Sequence, residues 1–142
     1  MVLGFISTTV SPPALIFMGQ HQEENEKMLK QEAFSSDIWF HVAGMSSAHV
    51  YLQLPKGMTI DNIPQDLLED CCQLVKKNSI NGYKLEMVDV MYTPRDNLKK
   101  TNGMVSGEVG FHDKKLCKTY MTIRKNSAEV LKRLGETVWK PK

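Results

Sequence analysis

The strongest constraint on this chain is a pair of alternating segments, Asp37-Ile38-Trp39-Phe40-His41-Val42 and Ala48-His49-Val50-Tyr51-Leu52. In each, apolar residues recur with period two, the pattern of half-buried strands. Ala43 to Ser47 between them is short and built of small residues, so the two read as an antiparallel hairpin. With Val42 opposite Ala48, His41 falls opposite His49 and Trp39 opposite Tyr51. Ile38, Phe40, Val42, Val50 and Leu52 then share the other face and enter a core. A face bearing two imidazoles, an indole and a phenol is either a binding platform or a second packed layer under a helix, because strands covered on both sides are common in α/β proteins.

The rest of the chain extends this hairpin into one domain. At 142 residues and 42% hydrophobic composition, it buries a proper core without staples. Val2 to Ile6 and Ala14 to Met18 read as strands joined across Pro12-Pro13. Glu23 to Ala33 is polar and helix-favouring. Pro64 to Ser79 is the clearest helix: Leu67, Cys71, Leu74, Val75 and Asn78 fall on one face, widened by Leu68 and Cys72. Asp66, Glu69 and Asp70 near its start and Lys76-Lys77 near its end suit the helix dipole, and Asn81-Gly82 stops it. Leu85 to Thr93 is a strand, Pro94 to Thr101 a basic loop, Val105 to Phe111 a short strand and Leu116 to Arg124 another. Asn126 caps a final helix that ends at Gly135, and Val138 to Lys142 reads as a tail. The order ββα-ββ-α-β(loop)ββ-α predicts a single α+β domain over residues 1–137. An antiparallel or mixed sheet carries the main amphipathic helix, with a second helix near the C-terminus.

Composition excludes several classes of function. Three cysteines, two adjacent as Cys71-Cys72, make no disulfide framework and no C-x-x-C, which fits the reducing cytoplasm or nucleus. Residues 1–20 are apolar but lack a basic start and are broken by Pro12-Pro13, so neither a signal peptide nor a membrane segment is expected. There is no Walker loop, dinucleotide fingerprint, H-E-x-x-H or G-x-S-x-G. Gly107-Glu108-Val109-Gly110 fits the GxxG of KH domains only formally, with an acid inside it and a strand-like setting. His41, His49 and His112 with Asp37 or Cys117 supply too few fixed ligands for a metal. No serine or cysteine has a recognisable activating neighbour. Neither a cofactor nor an enzyme is expected.

Charge is distributed unevenly. Residues 1–70 hold three Lys/Arg against nine Asp/Glu, and residues 71–142 hold fifteen against seven. Lys76-Lys77, Lys99-Lys100, Lys114-Lys115, Arg124-Lys125 and Lys132-Arg133 recur as doublets. Gathered on one side of the fold they attract phosphates; scattered, they are solvated surface.

Four motifs occur in a fixed order: Asp37-Ile38-Trp39-Phe40-His41-Val42, Ser46-Ser47-Ala48-His49-Val50-Tyr51-Leu52, Tyr92-Thr93-Pro94-Arg95-Asp96-Asn97-Leu98-Lys99-Lys100 and Gly107-Glu108-Val109-Gly110-Phe111-His112. Together they resemble the NFACT-R domain family across nearly the whole chain. The resemblance implies a nucleic-acid-binding unit, RNA foremost, of the kind found in ribosome-associated quality-control factors, and no catalysis. Stand-alone members carry a charged coiled coil after the domain, which the chain resembles without that tail. Ser47-Ala48-His49 stands where longer relatives read Gly-Ser-His, and Thr101-Asn102-Gly103 where they often have Pro-x-Gly.

The reading is a module for RNA or DNA, with the ribosome or other proteins as further partners. Arg95, Lys99, Lys100, Lys114 and Lys115 would neutralise phosphates, and His41, His49, Tyr51 and His112 would stack on or hydrogen-bond to exposed nucleotides. Trp39, Lys76 and Lys77 are secondary candidates. The alternative is a protein-interaction scaffold whose acidic and basic halves dock different partners. A metal-dependent hydrolase is a remote third.

Overall fold

The structure is a computed structural model that describes residues 2–19, 24, 27, 37–44, 47–79, 85, 87–99, 110–122 and 128–139. Six strands form one sheet: β1 (Leu3–Ser7), β2 (Ala14–Met18), β3 (Ile38–Val42), β4 (Val50–Gln53), β5 (Val88–Pro94) and β8 (Lys118–Thr122). Their order is β1-β2-β4-β3-β5-β8, and every neighbouring pair is antiparallel. Two short strands, β6 (Leu98–Lys99) and β7 (Gly110–Phe111), pair separately as a small lobe. The helices are α1 (Gln65–Lys77) and α2 (Ala128–Gly135). The expected helix over Glu23 to Ala33 lies almost wholly outside the described residues, where Glu24 and Lys27 are helical. Among the described residues no helix is long and apolar enough to cross a membrane.

Alternation places the core. Phe5, Ile16, Val50, Leu52, Ile38, Phe40, Val42, Val90 and Tyr92 line one face of the sheet and join Leu67, Cys71 and Val75 of α1 in a single apolar cluster. The hairpin register is the one that alternation predicts, with Ile38 opposite Leu52, Trp39 opposite Tyr51 and Phe40 opposite Val50.

α1 starts after Pro64 and ends where the Asn78 side-chain amide donates to the Leu74 carbonyl at 2.8 Å. It is buried on more than its sheet-facing side. Asp70, at 1% exposure, accepts from the Ser7 hydroxyl at 2.7 Å and from both terminal nitrogens of Arg133 at 3.0 and 2.6 Å. That ion pair fastens the two-turn α2 to α1 and β1.

Beyond α2 the chain returns to the first strand. Thr137 Oγ1 accepts from the Ile6 amide at 2.9 Å, and Trp139 exchanges backbone hydrogen bonds of 2.7 and 2.9 Å with Gly4. A Cβ at Gly4 would fall inside the Trp139 indole, so glycine is what lets the ring lie on β1. The stretch read as a tail therefore holds, at its second residue, a bridge to the sheet.

Candidate nucleic-acid interface

The face of the sheet opposite α1 carries the aromatic and imidazole groups. Gly4, Phe17, Tyr51, Trp39 and Thr93 are register partners across five strands and form one row on that face. Trp39 and Tyr51 are 1% and 0% exposed, and with Val2, Phe17, Leu98 and Phe111 they make a second, smaller apolar cluster. Among the described residues, the β6–β7 lobe contributes to their cover: the Phe111 ring stands edge-on to Trp39 at 6.0 Å between centroids.

Two histidines complete this layer. The Trp39 indole Nε1 donates to His49 Nδ1 at 3.0 Å, which puts the proton of the neutral imidazole on Nε2. His41 stacks on Trp39 with ring centroids 5.4 Å apart and stands perpendicular to His49 at 5.0 Å. Its Nδ1 donates to the Val42 carbonyl at 2.6 Å, leaving Nε2 as an acceptor. Burial holds the His41 imidazole below the ordinary histidine range despite that bond. His41 stays half-buried, whereas His49 is 1% exposed.

The lobe is built on Asn97. A 3₁₀ turn over Arg95–Asn97 follows β5, and a second covers Lys114–Leu116. The buried Asn97 amide nitrogen donates to Thr93 Oγ1 at 3.0 Å and to the Asp113 carbonyl at 2.9 Å, while its oxygen accepts from the Asp113 amide at 2.9 Å. Its backbone carbonyl accepts from the His112 amide at 2.9 Å. Asp113 in turn caps the second turn by accepting from the Lys115 amide at 2.9 Å. One side chain thus holds both ends of the lobe together. Leu98 packs inward, and Lys99, His112, Lys114 and Lys115 are exposed.

Below the lobe's entry lies a buried acid. Asp37 is 3% exposed, and its carbonyl accepts from the Arg95 amide at 2.8 Å. Burial pushes its carboxyl up to about 7, and the nearby Arg95 guanidinium only partly opposes this. Arg95 also meets the exposed Asp96 at 3.4 Å, a pair of little energetic weight in solvent.

The sequence-derived site therefore separates into groups. Lys99, His112, Lys114 and Lys115 share the lobe, Arg95 sits at its base and His41 at its edge. Lys100 lies outside the described residues. Trp39, Tyr51 and His49 are buried and offer no surface to a ligand; Leu98 and Phe111 of the lobe pack against the first two. Lys76 is 0% exposed, and burial lowers its ammonium pKa although Glu69 opposes the effect. Lys77 is exposed at the end of α1, away from the lobe. Arg133 is committed to Asp70, and Lys118 pairs with Asp61 at 2.9 Å. The described basic doublets do not all converge; the lobe collects one of them together with Lys99. Asn97, which ties the lobe together, is absent from the candidates read from sequence although it lies inside the ordered motifs, and Asp37 enters there only as a metal ligand. Among the described residues no three His, Cys, Asp or Glu side chains gather as metal ligands. Burial raises the thiol pKa of Cys71 and Cys72 well above the usual range, so they are poor nucleophiles.

Residues 1–113 match the family model described as the NFACT protein RNA binding domain. The chain belongs to the NFACT-R family. This NFACT-R domain is 50% identical over 137 residues to coiled-coil domain-containing protein 25 of Danio rerio, covering 96% of the chain and 65% of that protein. It is 46% identical over 137 residues to the Dictyostelium discoideum homolog, with the same two coverages of 96% and 65%. Protein JLP2 of Saccharomyces cerevisiae is 39% identical over 132 residues, covering 92% of the chain and 63% of the yeast protein. The chain thus spans about two-thirds of the length of these relatives. Its fold is shared with the C-terminal part of the fibronectin/fibrinogen-binding protein from Streptococcus suis, at a TM-score of 0.73 and 16% identity over 94% of this chain and 47% of the other.

Proposed function

We propose that this NFACT-R domain is a non-catalytic RNA-binding module whose β6–β7 lobe is the phosphate contact. The observation that carries this reading is the lobe itself: Asn97 ties together two turns that put Lys99, Lys114 and Lys115 on one exposed projection. Exposed lysines on one small element neutralise neighbouring phosphates without reading base edges, which gives salt-dependent and sequence-tolerant affinity. Arg95 and His112 flank them, Lys100 continues the same run in sequence, and the half-buried His41 offers Nε2 to a sugar or base. Trp39, Tyr51 and His49 act beneath the surface by holding the lobe in place. The family's description as an RNA-binding domain supports RNA as the partner, with ribosomal RNA as the natural candidate from the family resemblance.

The test is a salt-dependent titration against single- and double-stranded RNA and DNA of matched length. RNA binding whose log affinity falls linearly with log salt is the expected result. Affinity that ignores salt, or equal and weak binding to all four polymers, refutes the reading.

A further inference from the structure

Trp139 is the aromatic residue the lobe-centred reading leaves unused. It is 36% exposed, whereas the other tryptophan, Trp39, is 1% exposed. Its indole lies over Gly4 and stands edge-on to Phe17, with ring centroids 5.8 Å apart. Phe17 belongs to the cluster formed by Trp39 and Tyr51, so Trp139 ends an aromatic row on the face opposite α1 whose other end is roofed by Phe111 of the lobe. From Gly4 to Trp39 the row crosses three strand spacings, about 14 Å. The backbone bridge to Gly4 fixes the ring, so little order is lost when a ligand stacks on it. One side of the molecule thus carries exposed lysines at one end and a fixed, exposed indole at the other.

We propose that Trp139 is a base-stacking residue, and that the ligand is a single strand running from the lobe, on the face opposite α1, to this indole. Only an unpaired strand offers base faces to an aromatic ring while its phosphates meet lysines. The proposal rests on the nucleic-acid reading above and adds the strandedness of the ligand and the far end of the site.

The test uses fluorescein-labelled dodecauridylate, dodecathymidylate and a twelve-base-pair RNA duplex, read by anisotropy and by tryptophan emission. The single strands should quench tryptophan emission as they bind, because Trp139 is the accessible indole. Trp139→Leu, which keeps apolar cover over Gly4, should weaken single-strand binding by roughly 5- to 100-fold. It should abolish quenching and leave the salt slope and duplex binding unchanged, and Trp139→Tyr should recover most of the affinity. Quenching in the unsubstituted protein is informative even if the leucine variant folds poorly. Single-strand binding without quenching, or undiminished in Trp139→Leu, overturns the stacking role and leaves the lobe reading intact. No anisotropy change with any probe at low salt overturns both.

Discussion

Replacing Asp37 with Asn should stabilise the protein in alkaline solution and do little in acid. Asp37 is 3% exposed, and burial raises its carboxyl from 3.8 to about 7. The folded pKa lies above the unfolded one, so between these values the folded state holds a proton that the unfolded chain has released. Stability from the neutral carboxyl is full below about pH 4 and is lost as the pH rises to 7. Three units at about 1.4 kcal/mol each give on the order of 4 kcal/mol as the largest penalty that the ionised carboxylate imposes. The amide has the same shape and never ionises. Urea denaturation of both proteins from pH 3.5 to 8.5 should therefore show a difference near zero at the acid end that grows in favour of Asp37→Asn up to pH 7. His41 contributes the opposite slope: its lowered pKa gives stability that is full above about 6.5 and is lost as the pH falls below it. Because both proteins keep His41, subtraction removes its effect. Equal destabilisation by Asp37→Asn at pH 5 and pH 8 would refute the reasoning, since it would mean that the carboxylate is ionised throughout and anchors Arg95.

Three further outcomes are expected. Lys99→Ala, Lys114→Ala and Lys115→Ala together should reduce the slope of log affinity against log salt by about 2 to 3, with an unchanged Tm because all three side chains are exposed. His49→Ala removes the acceptor of the Trp39 indole and leaves a cavity, so denaturant titration should show a loss of about 2–4 kcal/mol while oligonucleotide affinity of the folded fraction holds. Asn97→Ala frees both turns of the lobe; hydrogen exchange at the Asp113 and His112 amides should accelerate, and RNA affinity should fall although Asn97 is itself buried.

Local periodicity made the architecture legible. Alternation in Ile38–Val42 and Val50–Leu52 carried the register as far as the Trp39–Tyr51 pair, and the spacing of Leu67, Cys71 and Val75 located the main helix. The packing on the second face was not legible, because among the described residues part of it comes from Leu98 and Phe111 on strands of two residues each, too short to show a period. Burial of charge was equally hidden. Asp70 reads as a surface acid suited to a helix N-terminal half, yet its partner Arg133 lies 63 residues away. The strand expected from Leu116 starts later because the Thr93 hydroxyl binds the Leu116 carbonyl and Asp113 caps a turn there. Composition shows lysines concentrated in the second half of the chain, but only the fold separates the exposed Lys114 and Lys115 from Lys76 and Lys118, which are buried or paired.

The bridge between Gly4 and Trp39's distant counterpart Trp139 also sets an order of events during synthesis. β1 is translated long before Trp139, whose arrival closes one side of it. Until then its amides and carbonyls on that side face solvent, the state in which strands recruit other chains. The central strands β3 and β4 are contributed by residues 38–53 and can pair long before that point. The nascent domain therefore passes through a stage with a formed centre and an open margin, and it ends only when Trp139, translated after α2, reaches Gly4.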